Sequence, residues 1–239
     1  MNISKRLKVI AGLVPDNSFI LDVGCDHALL SIYVVLNKKN VKAIASDINE
    51  GPLKTAQSNV KKYNLEKDII IIQSDGLNAY QDGVDTVILA GLGSTTIVNI
   101  LESKKEILSN IDRLIISSNN DYYYLRKSIA KLGYKIVNEK IVCDKKKYYP
   151  IIVFEKGEEK YNDFELKYGP ILLKEKDEVF VDYLSLNKNK LIKIYSSLSS
   201  KYLFRKIKLK KEISLINKYM WFYVKWFLIG LCCLNKYVI

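Results

Sequence analysis

Apolar runs and amphipathic stretches take turns along the first two thirds of the chain, and their periods predict strands and helices in alternation. Residues 4–13 read as a short amphipathic helix closed by Pro15-Asp16-Asn17. Residues 19–23 form a continuous apolar run, read as a buried strand, followed by a Gly turn and an apolar helix over 28–36. A second strand is expected over 41–45, a second helix over 52–63 with Pro52 near its first turn, and a third strand over 69–72. The fourth strand, 84–89, runs into Ala90-Gly91-Leu92-Gly93, and the fifth spans 113–117. A helix over 122–132 stops at Gly133, and two last strands, 134–142 and 148–154, have no helix between them.

Continuous Val/Ile/Leu strands separated by helices imply a mostly parallel sheet covered on both faces. The closing pair adds one antiparallel strand at the edge. The expectation is an α/β domain over residues 1–157, Rossmann-like and doubly wound, with seven strands. Beyond it, Val179, Leu184, Leu186, Leu191, Ile194 and Leu198 fall at helical spacing. They predict a C-terminal α-helical hairpin within an appendage of residues 158–218, followed by an apolar tail, 219–239. The apolar run 220–234, interrupted by Lys225, is short against the ~20 residues that span a bilayer. A helix at a membrane interface, docking on the domain and a non-native tail stay open for it.

Charge adds a partner class. The net charge is +12, and residues 183–218 hold ten Lys/Arg against one acid, Glu212. A polyanion such as RNA fits, with DNA and anionic membrane admissible. Only four of the 38 basic residues are Arg, and Lys, Ile, Asn and Tyr abound, so codon bias alone could raise the charge. Four cysteines without C-x-x-C spacing and a single histidine, His27, argue against a zinc site or a Ser-His-Asp triad. No metal is expected. The first residues carry no apolar stretch typical of a signal peptide, so a cytoplasmic protein, read as a monomer, is expected.

Candidate chemistry gathers at strand ends. In such sheets ligands bind beyond the carboxyl ends, at the switch point. Leu21-Asp22-Val23-Gly24-Cys25-Asp26 puts one glycine where backbone and ligand must come close. Asp47, 23 residues after Gly24, suits two ribose hydroxyls, and Asp75, in Gln73-Ser74-Asp75-Gly76, suits an adenine amino group. Each acid alone reads equally as a turn or cap residue; together they favour a SAM (S-adenosyl-L-methionine) pocket. The absence of G-x-G-x-x-G argues against NAD, and that of G-x-x-x-x-G-K-[ST] against a nucleotide triphosphatase. Gly91, Gly93 and Asn119 lie at later strand exits, where a substrate base would sit. Asp26 could accept or stabilise a proton beside a methylated adenine, or else cap the next helix. Asn119 could equally cap the helix near Tyr122.

These residues together resemble the bacterial tRNA (adenine(22)-N1)-methyltransferase family. The match runs through Ile3-Ser4-Lys5-Arg6-Leu7, Asp22 to Ala28, Gly51-Pro52, Asp75-Gly76-Leu77, Ala90-Gly91-Leu92-Gly93, Tyr148 with Glu155, and Tyr168-Gly169-Pro170. The resemblance implies methylation of adenine N1, position 22, in the D-arm region of tRNA. It implies a SAM pocket of Gly24, Asp26, His27, Asp47, Asp75 and Gly76, with Gly91 and Gly93 beside it; Asp22 and Ile48 are further candidates for that pocket, and Asp26 is the candidate catalytic group. This chain departs at Ser117-Ser118-Asn119, where relatives carry Gln-Pro-Asn, at Ser94, where they carry glycine, and at Leu29-Leu30-Ser31, where they carry Tyr-Leu-Pro. Those changes leave two alternatives: a SAM-dependent methyltransferase for another RNA or a small molecule, and a catalytically weakened binding protein for RNA or membrane.

Overall fold

The computed structural model describes residues 1–175 and 177–234, the side chains of 222–234 excepted. The chain forms two compact units, the first ending at Ile171 and the second beginning at Leu172. In the first, α1 (Lys5–Gly12) precedes β1 (Phe19–Val23), α2 (Leu29–Asn37), β2 (Lys42–Asp47), α3 (Glu50–Lys62) and β3 (Ile69–Gln73). After a 3-10 turn at Gly76–Ala79 come β4 (Thr86–Ala90), α4 (Ser94–Glu102), α5 (Lys105–Leu108), β5 (Arg113–Ser117) and α6 (Tyr122–Lys131). The strands β6 (Tyr134–Asp144) and β7 (Lys147–Lys156) and the short α7 (Asp163–Tyr168) complete it.

One seven-stranded sheet has the order β3-β2-β1-β4-β5-β7-β6. The first five strands run parallel, and β7 runs antiparallel to both β5 and β6. The reversed strand therefore lies one place inside the edge, with β6 outermost. A hairpin allows this, because β6 and β7 are joined by a two-residue turn at Lys145 and Lys146, both with positive φ. Side chains alternate across the sheet, so Ile20, Ile88 and Ile115 pack on the face covered by α1, α2 and α3. Their neighbours Leu21, Val87, Leu89, Leu114 and Ile116 pack on the other, with α4 and α6. Both faces being buried is why the strands read as unbroken apolar runs.

Residues 158–171 fold with the sheet. The Tyr161 hydroxyl accepts the Ile136 amide of β6 at 2.7 Å and donates to Glu159 Oε2 at 2.8 Å, and a capping box of Asn162 and Glu165 starts α7. The second unit contains α8 (Leu172–Glu175), α9 (Glu178–Ser197) and α10 (Leu203–Leu234). Asp177 caps α9 by accepting the Phe180 amide at 3.2 Å. A 3-10 turn, Ser200–Tyr202, reverses the chain, and α9 and α10 pack side by side as the expected hairpin. The apolar run 220–234 continues α10; its side chains beyond 221, and residues 235–239, lie outside the described residues. No helix among the described residues is long and apolar enough to cross a membrane.

Candidate active site

Strand order makes β1 and β4 neighbours across the point where the chain changes winding direction, which is where the crevice opens. At the exit of β1 the chain turns sharply. Gly24 has φ +72°, and its amide and that of Cys25 both donate to the Ser46 carbonyl at 2.9 Å. That left-handed backbone is what favours glycine here, since a Cβ at Gly24 would make only an ordinary 3.6 Å contact with Leu92. Asp26 and Ala28 follow at φ +49° and +54°, left-handed conformations that cost non-glycine residues about 1 kcal/mol each. Ala28 is the N-cap of α2 and offers no side-chain hydrogen bond. Asp26 is therefore not a helix cap: among the described residues its exposed carboxylate meets only His27, with Oδ1 3.7 Å from Nε2.

A cavity of about 120 Å3 lies against this turn, lined by Arg6, Asp22, Gly24, Asp26, His27 and Ala90 among others. Asp22 is buried beneath it and accepts the Ser31 hydroxyl at 2.8 Å. Burial pushes its carboxyl up to about 6, against a smaller opposing effect of that hydrogen bond. Burial and the nearby Asp22 push the Cys25 thiol far up as well, so it is no nucleophile. The His27 carbonyl accepts Asn59 Nδ2 at 3.0 Å, while its Nδ1 is buried with no hydrogen-bond partner among the described residues.

Asp47 ends β2, in register with Gln73 at the end of β3. Its Oδ1 accepts the Asn49 amide at 2.9 Å and the Asn49 side chain at 3.2 Å. Ile48 is exposed, and its carbonyl takes Gln73 Nε2 at 3.1 Å. Asp75 is exposed and opens the 3-10 turn; Gly76 follows at φ +55°, where a Cβ would press on Ile100 at 3.0 Å. Asp22, Gly24, Asp26 and His27 thus share one cavity, while Asp47, Ile48, Asp75 and Gly76 stand at the next two strand exits.

On the other side, Gly91 (φ +90°) lies under Arg6, whose Nη2 would be 3.6 Å from an added Cβ. Asn119 does not cap α6; Asp121 does, accepting the Tyr124 amide at 3.0 Å. Asn119 instead spans two strand exits, its side chain donating to the Gly91 carbonyl and its amide to the Leu92 carbonyl at 2.9 Å. Gly93 caps α4 beside Asn120. Sequence reasoning missed Arg6 and the role of Ser94. Buried Ser94 shares a hydrogen bond with Ser118 at 2.9 Å and donates to the Asn120 carbonyl, so these two serine departures meet in one hydrogen-bonded cluster.

These features fit SAM: two glycine cradles, an orphaned buried imidazole nitrogen and acids at three successive exits. Sheet order and site together define a class I, Rossmann-like methyltransferase. The chain belongs to the tRNA (adenine(22)-N(1))-methyltransferase family, whose model matches residues 20–218. It is 36% identical over 188 residues to the enzyme of that name from Bacillus subtilis (strain 168), covering 76% of this chain and 79% of that one. A Streptococcus pneumoniae structure described as a putative tRNA (m1A22) methyltransferase superposes with TM-score 0.86 at 34% identity, over 92% of this chain and all of that one. Its complex with S-adenosyl-L-methionine gives 0.83 at 33% identity with the same shares. Magnesium protoporphyrin IX methyltransferase from Synechocystis PCC 6803 shares the fold (TM-score 0.53, 18% identity, 64% of this chain and 79% of that one).

Proposed function

We propose that this protein transfers a methyl group from SAM to N1 of an adenine, position 22, in tRNA. The observation that carries the reading is the Gly24–His27 turn opening on a cavity at the β1/β4 switch point, in a chain of this family. SAM supplies an electrophilic methyl group, and the protein's task is alignment of the ring nitrogen with it. Asp47 suits the ribose hydroxyls through its second oxygen, and Asp75 with the Gly76 backbone suits the adenine of the cofactor. Asp22, Gly24, His27 and Ile48 complete that pocket. Gly91, Gly93 and Asn119 leave a flat, hydrogen-bonding shelf for the target base.

Methylation at N1 makes the adenine cationic and its exocyclic amine more acidic. Asp26, exposed at the cavity and free of a capping role, is suited to stabilise or accept that proton. The basic stretch 183–218, most of which lies in α9 and α10, suits the tRNA backbone. No cluster of three or more His, Cys, Asp or Glu among the described residues could hold a metal ion. We place the reaction in the cytoplasm, with a monomer acting on one tRNA.

The test is purified full-length chain, SAM and unmodified tRNA, read by nucleoside mass spectrometry for 1-methyladenine. Bound tRNA with no new methyl group would favour the weakened-binder alternative. Methylation confined to another RNA or to a small molecule would favour the other.

A further inference from the structure

The turn end of the C-terminal hairpin presents apolar side chains to solvent. Phe204, at the start of α10, is 85% exposed, and Tyr202, Leu203 and Ile207 around it are each more than half exposed. Leu203, Phe204 and Ile207 fall on one side of the helix. Trp221, also more than half exposed, follows Leu203 by about five whole turns and falls on the same side. Buried Ile216 falls opposite, and Lys206, its Nζ 5.4 Å over the Tyr195 ring, marks where α10 packs on α9. Exposed cations accompany the apolar side: Lys201, Arg205, Lys208, Lys210, Lys211 and Lys218. Beyond Trp221 the backbone of α10 continues to Leu234 through a sequence in which Lys225 is the one charged residue. The family match ends at residue 218, before that run begins.

We propose that this side of α10 lies on an anionic phospholipid surface. Apolar side chains enter the boundary between headgroups and acyl chains, tryptophan favours that depth, and the cations beside them meet lipid phosphates. Two other occupants fit less well. RNA phosphates would take the cations but leave aliphatic Leu203 and Ile207 exposed, since flat rings are what stack on bases. A second copy would set one strongly basic face against another. No helix among the described residues is long and apolar enough to cross a membrane, and contact in the plane of the surface needs no such length. Lys188, Lys190 and Lys193 belong to α9 and stay available to tRNA.

The chain's two tryptophans, Trp221 and Trp226, both lie in α10, so their emission reports on this contact. Full-length chain is titrated with vesicles of equal parts phosphatidylglycerol and phosphatidylcholine, with pure phosphatidylcholine vesicles, and with tRNA. The anionic vesicles should shift the emission to the blue and co-sediment with the protein about tenfold more tightly than the neutral ones. The triple variant Leu203→Ser/Phe204→Ser/Ile207→Ser changes exposed positions alone, with thermal unfolding as the check on folding. It should bind the anionic vesicles about tenfold or more weakly. Unchanged vesicle affinity in that variant overturns the proposal, as does sedimentation without a blue shift, which charge alone explains. A blue shift given by tRNA and not by vesicles assigns this side to RNA and overturns it too. So does emission that moves on dilution without lipid, the mark of a second copy. Neither readout involves methyl transfer, so the outcome is separate from that of the proposed function.

Discussion

Arg126 and Glu139 form an ion pair sealed from water: Nε lies 2.8 Å from Oε1, with the side chains 1% and 0% exposed. Arg126 also donates to the Leu166 carbonyl at 2.9 Å, and Glu139 Oε2 accepts the Ile171 amide at 2.9 Å. One pair therefore binds α6 and β6 to the segment that leads out of the sheet unit. Removing one partner leaves the other charged and buried, which costs about 3–5 kcal/mol. We expect Arg126→Met and Glu139→Leu each to lose stability on that scale in urea unfolding. The double variant should lose less than the sum, because neither charge is stranded. Additive losses would mean the two act independently.

Gly169 is the companion of that pair. Its φ is +100°, and a Cβ there would come 2.6 Å from Glu139 Oε2, so the Tyr-Gly-Pro segment is shaped around a carboxylate. Gly169→Ala should destabilise by about 2 kcal/mol or more, combining backbone strain with collision. In a Glu139→Leu background the same change should cost visibly less if the collision dominates. Thermal unfolding of the four chains reads this directly.

The strands were legible because sheet burial on both faces writes itself as unbroken apolar runs, and β5 matches the expected 113–117 to the residue. The short α7 was not, since its signal is a capping box rather than a period. Gly24, Asp47 and Asp75 were singled out by spacing from strand ends, and they do lie at the exits of β1, β2 and β3. Asp26 and Asn119 could not be resolved between capping and site roles, because both roles use the same residue types. Geometry removes the capping role, with Ala28 and Asp121 at the N-caps. Arg6 was out of reach for another reason: it comes from α1, which pacts no signal about the distant β7 residue that stacks on it. The order of β6 and β7 was likewise a pairing decision, and periodicity does not record pairing.

Asp22 should make stability depend on pH in a definite sense. Its carboxyl is raised from 3.8 to about 6 by burial, so the folded chain holds the proton more tightly than the unfolded chain. Ionising it then works against the fold: the penalty is absent below 3.8, grows up to about 6 and is constant above. Arg6, Asp26 and His27 share the cavity, but desolvation is the leading cause. Asp22→Asn keeps an acceptor for Ser31 and carries no charge. Its stability relative to the parent should rise from about pH 4 to about pH 7, by up to about 3 kcal/mol. A flat difference would show that the buried carboxyl titrates at its ordinary value.

Asp47 and Asp26 should separate binding from chemistry. Asp47 already spends one oxygen on Asn49, which fixes the carboxylate and leaves the other oxygen for a ligand. Asp47→Ala removes charge-assisted hydrogen bonds, so S-adenosylhomocysteine affinity should fall about tenfold or more in calorimetry. Asp26 has no such support: its carboxylate is exposed, and among the described residues its charged partner is His27 at 3.7 Å. Asp26→Asn preserves size and the left-handed turn, which asparagine tolerates well, so cofactor affinity should change little. Single-turnover methylation of tRNA should instead slow by about 100-fold, the scale of a lost proton acceptor. If Asp26→Asn methylates at the parental rate, the strained turn serves only to shape the pocket, and the proton leaves to water.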